Sequence, residues 1–427
     1  MKRSMTMTLS PNGAPAAGWF RGIFGRVEAN ARNLRGMART GRLALVVFAS
    51  IGAIMAARAG SEGDTPSGVP SQATLQRHVG LLASPEFAGR SGAGGRKAAD
   101  YVIEHFRRLG LEPLFSDSFE QPIQGFGAPA GAVIGRNVGA VLRGSDPKLR
   151  DEWVIVSAHY DHLGNHEALY PGADDNASGV AMLLEVARCF ASMEGAKRPR
   201  RSVAFVGFDL EERGLWGSTY FAEHPPFPLD GLKLFITADM IGRSLGGVCD
   251  EYVFVMGTEH APDLRPCVDR AGSGLALTVG VVGSDLLLFD RSDYGPFRKR
   301  KIPYLFFSTG ESDVYHTPED RPETLDYPKL AEISTLIERV VEQAVSSDEL
   351  PGWEAKPSHL LGEAIAVRAV LTRLLDQGAK LRVKPLQAGW LKSQIRDLDD
   401  AIQRGVLTPV ERQRMLLNAQ MVLYSVL

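Results

Sequence analysis

Five short stretches of this sequence each deliver a side chain able to bind a cation or move a proton. Val154 to Ala158 runs into His159 and Asp161, and Ser202 to Phe208 leads to Glu211 and Glu212. Leu232 to Ala238 delivers Asp239, Pro303 to Phe307 leads to His316, and the loop GADDNASG brings Asp174 and Asp175. Carboxylates packed this densely repel and raise one another's pKa, so a fully ionised group needs divalent cations. Imidazole and carboxylate donors without thiolate suit zinc, with manganese or cobalt as compatible substitutes. His159, Asp175, Glu212, Asp239 and His316 are too many ligands for one tetrahedral site with an open position. They suit two ions about 3.5 to 4 Å apart that share a carboxylate. Asp161, two residues beyond His159 on the same side of an extended segment, is placed to accept the second imidazole N–H. Glu211 and Glu212 point apart, which frees one to bind metal and the other to act as a base. Helix caps or salt bridges would explain any one of these residues, but not the whole set at one edge.

The segments that deliver them read as strands: Asn137 to Leu142, Trp153 to Ala158, Ser202 to Phe208, Leu232 to Ala238 and Pro303 to Phe307 are rich in Val, Ile and Phe. Helical spacing marks Ala73 to Leu82, Gly95 to Leu109, Gly179 to Met193 and Tyr327 to Ser346. This alternation predicts an α/β fold with a mainly parallel, mixed central sheet and helices on both faces. Ligands of such sheets lie outside the carboxyl ends of the strands, where the five stretches converge. Beyond Pro351 the pattern turns to helix only, over His359 to Gln377, Leu386 to Arg404 and a last run opened by Thr408-Pro-Val-Glu411, which has the form of a capping box. This reads as a small all-helical appendage.

The amino-terminal part is separate in composition. Leu43 to Ala57 is uncharged and apolar, Arg32, Arg35, Arg39 and Arg42 precede it, and Ala57-Arg58-Ala59 offers a small-x-small cleavage site. About 15 apolar residues fall short of the roughly 20 that span a bilayer, which favours a cleaved signal peptide over a membrane anchor at residues 43–57. The expected order is a signal peptide over 1–59, with Met37 an alternative start, a linker over 60–70, the sheet domain over 71–350 and the helical extension over 351–427. The expected location is exported, periplasmic or secreted, with membrane contact only through the N-terminal segment if it stays uncleaved.

With a formal charge of −2 over 427 residues and scattered Lys and Arg, the composition excludes a nucleic-acid footprint. Cys189, Cys249 and Cys267 are too few for a disulfide framework; Cys249 with Cys267 is the better pair if any is bridged. Nothing sets the oligomeric state. Asp174 and Asp209 read as turn formers, His162, His166, His224 and His260 as structural, and Arg243 and Tyr294 as either packing or cleft residues.

Between about His78 and Val345 the chain resembles the co-catalytic zinc exopeptidases, a family that includes bacterial leucine-type aminopeptidases and glutamate carboxypeptidase, with the glutaminyl cyclases as more distant relatives. The resemblance rests on His159-Tyr-Asp161, Gly172-Ala-Asp-Asp175-Asn-Ala-Ser-Gly179, Glu211-Glu212-Arg-Gly-Leu-Trp-Gly-Ser218, Asp239-Met-Ile-Gly242 and Tyr315-His316-Thr-Pro-Glu-Asp320, all in family order. It implies two zinc ions bridged by Asp175, with His159 and Asp239 completing one and Glu212 and His316 the other. It further implies Glu211 as general base and acid toward a zinc-activated water, and hydrolysis of N-terminal residues from a peptide or small amide. A glutaminyl cyclase, a carboxypeptidase, an amide hydrolase on the same fold, or an inactive binding ectodomain are the alternatives. The loop Ser292-Asp293-Tyr294 departs from the family, whose members often carry His in place of the Tyr.

Overall fold

The computed structural model describes residues 68–283, 290–358 and 361–426. The leader, the candidate anchor at 43–57 and most of the linker lie outside the described residues. Nine strands follow in chain order: β1 (Glu112–Pro113), β2 (Glu120–Ile123), β3 (Gly135–Leu142), β4 (Trp153–His159), β5 (Ser202–Phe208), β6 (Leu232–Ala238), β7 (Tyr252–Met256), β8 (Thr278–Val281) and β9 (Tyr304–Ser308). Ten helices accompany them: α1 (Gln72–Leu82), α2 (Ala93–Arg108), α3 (Gly179–Ala191), α4 (Trp216–Glu223), α5 (Arg265–Gly272), α6 (Gly295–Lys299), α7 (Tyr327–Ser346), α8 (Leu361–Asp376), α9 (Pro385–Arg404) and α10 (Pro409–Val426).

The strands form one sheet in the order β1-β3-β5-β4-β6-β9-β7-β8, with β2 also on β3. The centre, β5-β4-β6-β9, is parallel, whereas β3 and β7 join it antiparallel. The sheet is therefore mixed, as the alternation of elements predicts. Side chains alternate between two cores. From β4, Val154, Val156 and Ala158 enter one and Trp153 and Ile155 the other; from β9, Leu305 and Phe307 oppose Tyr304 and Phe306. In β6 the phase slips: Leu232 and Phe235 share a face because the register with β4 shifts between Trp153 and Val154.

One core holds α1, α2, α3, α5 and α7; the other holds α4 and α6 together with α8, α9 and α10. Val367, Leu371 and Leu374 of α8, Leu391 and Leu398 of α9, and Leu416 and Val422 of α10 are buried in the same cluster as Phe254, Phe235 and Trp153. The Thr408–Glu411 box forms reciprocally, with Glu411 N–H donating to Thr408 Oγ1 at 3.3 Å and Thr408 N–H to Glu411 Oε2 at 2.9 Å. All three cysteines are free and buried. Cys249 and Cys267, the better pair if any were bridged, sit in opposite cores with the sheet between them. Among the described residues, no helix is long and apolar enough to cross a membrane.

The chain passes from β4 through α3 to β5 on one side, then through α4 to β6 on the other, with α3 and α4 on opposite faces. β4 is thus the point where the strand order reverses, and the crevice opens at its carboxyl end. His159 is the last residue of β4.

Candidate metal centre

At that end, two groups of donors come together. His159, Asp175 and Asp239 form one; His162, Asp175 and Glu212 form the other, with donor atoms in each within 4.8 Å of one another. His159 Nε2 lies 3.4 Å from Asp175 Oδ1 and 3.3 Å from Asp239 Oδ1. His316 Nε2 faces the second group, 3.1 Å from Asp175 Oδ2 and 3.3 Å from Glu212 Oε2. Asp175 presents one oxygen to each side. His162, read as structural from its place in the sequence, sits with Nδ1 2.8 Å from Glu212 Oε1 and only 3 % exposed. Spacing misses it because β4 ends at His159, so the period-two alternation no longer tells where His162 points.

Asp161 lies beside His159, but mainly through its backbone. Nδ1 of the imidazole is 3.3 Å from the Asp161 carbonyl and 3.6 Å from its Oδ1. The carboxylate instead accepts the N–H groups of Glu211 at 3.0 Å and Glu212 at 3.3 Å, tying the β4 exit to the turn after β5. Ser292 donates to Asp239 Oδ2 at 3.0 Å, a support that sequence spacing does not show. Tyr294 is fully buried and stacks on Tyr304 with ring centres 5.0 Å apart, so it packs the core.

The loop carrying Asp175 is held from below. Arg90, wholly buried, donates to the carbonyls of Leu82, Tyr160, Pro171, Gly172 and Asp175 at 2.6 to 3.1 Å. Asp320 accepts the N–H groups of Asp174 at 3.0 Å and Asp175 at 3.1 Å, and Arg243 pairs with it at 2.8 Å. Gly172 has φ 57, and a Cβ there would sit 2.2 Å from the Asp175 carbonyl oxygen and 2.6 Å from Arg90. Only glycine fits. Leu210, Met240 and His316 also take positive φ, which aims their neighbours or themselves at the centre and concentrates strain there.

Electrostatics follow the crowding. Burial, with Asp239, Asp293 and Asp161 nearby, raises Glu211 well above the usual carboxyl range against the pull of His159. Burial pushes Asp293 up to about 7. Burial would lower His316, yet Asp175 and Glu212 carry it up to about 10. Nε2 of His162 and Nε2 of His316 are buried without a properly aligned hydrogen-bond partner among the described residues, although carboxylate oxygens surround His316 at short range. Imidazole and carboxylate donors that converge this closely in two groups fit a cation in each, and their chemistry fits zinc.

Comparison with known proteins agrees with this geometry. A family model described as Peptidase family M28 matches residues 137–341. That span takes in all five proposed ligands. Residues 137–341 are an M28 peptidase domain. Aminopeptidase YwaD of Bacillus subtilis (strain 168) is 31% identical over 209 residues, 46% of this chain and 42% of that protein. The chain thus spans less than half the length of this curated relative. The LapA aminopeptidase of Legionella pneumophila shares the fold at TM-score 0.52 and 20% identity, over 65% of this chain and 73% of LapA. The glutaminyl cyclase of Porphyromonas gingivalis does so at TM-score 0.52 and 21% identity, over 65% of this chain and 100% of that one. Likeness at this level speaks for the M28 fold alone and does not separate hydrolysis from cyclisation.

Proposed function

We propose that this chain is an exported aminopeptidase that removes N-terminal residues from peptides at a two-zinc centre. The observation that carries the reading is the sharing of Asp175 between two donor groups. His159 and Asp239 would hold one ion and Glu212 and His316 the other, with His162 holding the far oxygen of Glu212. Two sites favour hydrolysis over the single-zinc glutaminyl cyclase alternative. Two divalent cations there would polarise the scissile carbonyl and make water acidic enough to lose a proton near neutral pH.

Glu211 does the proton work. Its carboxyl lies with Asp175 and Asp239 in a cavity of about 70 Å³, where it would take a proton from the attacking water and return it to the leaving amine. Asp161 fixes the backbone of that residue through the bond to Glu211 N–H. Asp320 and Arg90 hold the Asp175 loop so that its carboxylate faces both groups. Export rests on the leader, with cleavage after Ala59.

Metal analysis with a panel of aminoacyl-nitroanilides tests the reading, comparing the wild type with Glu211→Ala. The expected result is about two zinc ions per chain, turnover of free but not acetylated N-termini, and a loss of at least about a hundredfold in kcat with metal retained in the variant. Two zinc ions with no turnover of any unblocked substrate would overturn the aminopeptidase assignment.

A further inference from the structure

The metal centre borders two cavities of very different size. The smaller, at about 70 Å³, is lined by Glu211, Asp239 and Tyr315 and has room for little more than one side chain. On the other side His162 and Glu212 open onto a cavity of about 550 Å³, within the range of small-molecule sites.

Its wall carries four arginines, Arg90, Arg96, Arg136 and Arg213, against four carboxylates, Glu120, Asp161, Asp209 and Glu212, and what separates them is which groups already have partners. Arg90 is committed to five carbonyls, and Arg136 pairs with Glu120 at 2.5 Å and Asp100 at 3.2 Å. The carboxylates facing it are likewise engaged. Asp209 accepts the N–H groups of Arg136 and Leu210, both at 2.9 Å, and Asp161 accepts those of Glu211 and Glu212. Arg96 and Arg213 remain, exposed at the rim and without an ion pair among the described residues. Arg213 rides on the same turn as Glu212, and Arg96 sits in the first turn of α2, whose start at Gly92 has no side-chain cap and adds partial positive charge. His162, 3 % exposed with an unpartnered Nε2, stands between these cations and the metal centre.

We infer that this cavity receives the free C-terminal carboxylate of a short peptide, with Arg96 and Arg213 as its partners. The inference rests on the aminopeptidase reading and narrows its substrates. A scissile amide at the metal centre would leave its first residue in the small cavity and the remaining one or two in the large one. A guanidinium pair recognises a carboxylate by charge and by bidentate geometry. Substrates would then be di- and tripeptides with free C-termini, and long chains would lose the contact.

The zinc-loaded full chain is assayed with Leu-Gly-Gly, its C-terminal amide, and an amidated Leu-Gly-Glu. The free tripeptide is expected to exceed its amide in kcat/KM by about tenfold or more. That ratio should fall toward one in Arg213→Ala and in the Arg96→Ala/Arg213→Ala pair, recover in part in Arg213→Lys, and shrink at high salt. Calorimetric binding of the same peptides to zinc-loaded Glu211→Ala gives the ratio without turnover. A wild-type ratio of one, a ratio that ignores both arginines, or equal preference for the side-chain carboxylate of amidated Leu-Gly-Glu overturns the inference. Turnover of leucine nitroanilide, which lacks a carboxylate, reports on the aminopeptidase reading separately.

Discussion

Asp320 holds neither proposed metal, yet both of its oxygens are committed to the loop that presents Asp175. An amide in its place could accept at one atom only: with that oxygen on the two loop N–H groups, its NH2 would face the Arg243 guanidinium, which now donates to the other oxygen at 2.8 Å. Asp320→Asn should weaken zinc binding by about 10 to 100-fold while the fold persists, as measured by competition with a chromophoric chelator. Unchanged affinity would show that the loop is held by Arg90 alone. The five residues proposed as ligands from sequence do lie together. Their supports were not legible, because a carboxylate bonding an amide 146 residues away leaves no local pattern. His162 was hidden differently: a lone histidine past a strand end gives spacing nothing to work with.

Among the elements, strands apolar along their whole length were readable. β5 and β6 have the predicted ends, since both faces are covered and no alternation competes. β7 and β8 were not singled out; the latter is a four-residue edge with a glycine, too short for any period to show. α7 carries a feature that its apolar stripe conceals. Glu338 is buried on that helix, and burial, with Glu342 one turn on, pushes its carboxyl up to about 7 from an ordinary 4.5. A carboxyl raised on folding keeps its proton in the native state while the unfolded chain loses it. Stability from this group is therefore present below about pH 4.5 and declines as pH rises toward 7. Glu338→Gln should raise the Tm at pH 8, by on the order of 2 °C, with the gain vanishing at pH 4. Equal Tm values at pH 8 would show the carboxylate to be solvated.

For the whole molecule, the change of texture past Pro351 marks an all-helical extension, and packing makes it part of the second core. α8, α9 and α10 complete the second core, and the buried pair Arg412–Glu363, at 2.6 Å, locks α10 to α8. Each buried Leu or Val here contributes roughly 1.5 to 3 kcal/mol. A chain ending at Gly352 should expose Phe254, Val282 and their neighbours and fail to give a soluble, cooperatively melting monomer, by size-exclusion chromatography and calorimetry. A sharp melt of that truncation with zinc still bound would show the extension to be detachable. Composition cannot distinguish the cases, because amphipathic helices look alike whether they face one another or a sheet.

One carboxylate with an oxygen in each donor group would make the two proposed ion sites a single thermodynamic object. Whatever filling one does to the affinity of the other must be returned by the same factor in the opposite order of loading. Charge neutralised by the first ion, and a carboxylate already turned for the second, work in opposite directions. The zinc titration of the proposed centre would then belong to the pair, and its shape would read out how Asp175 divides itself.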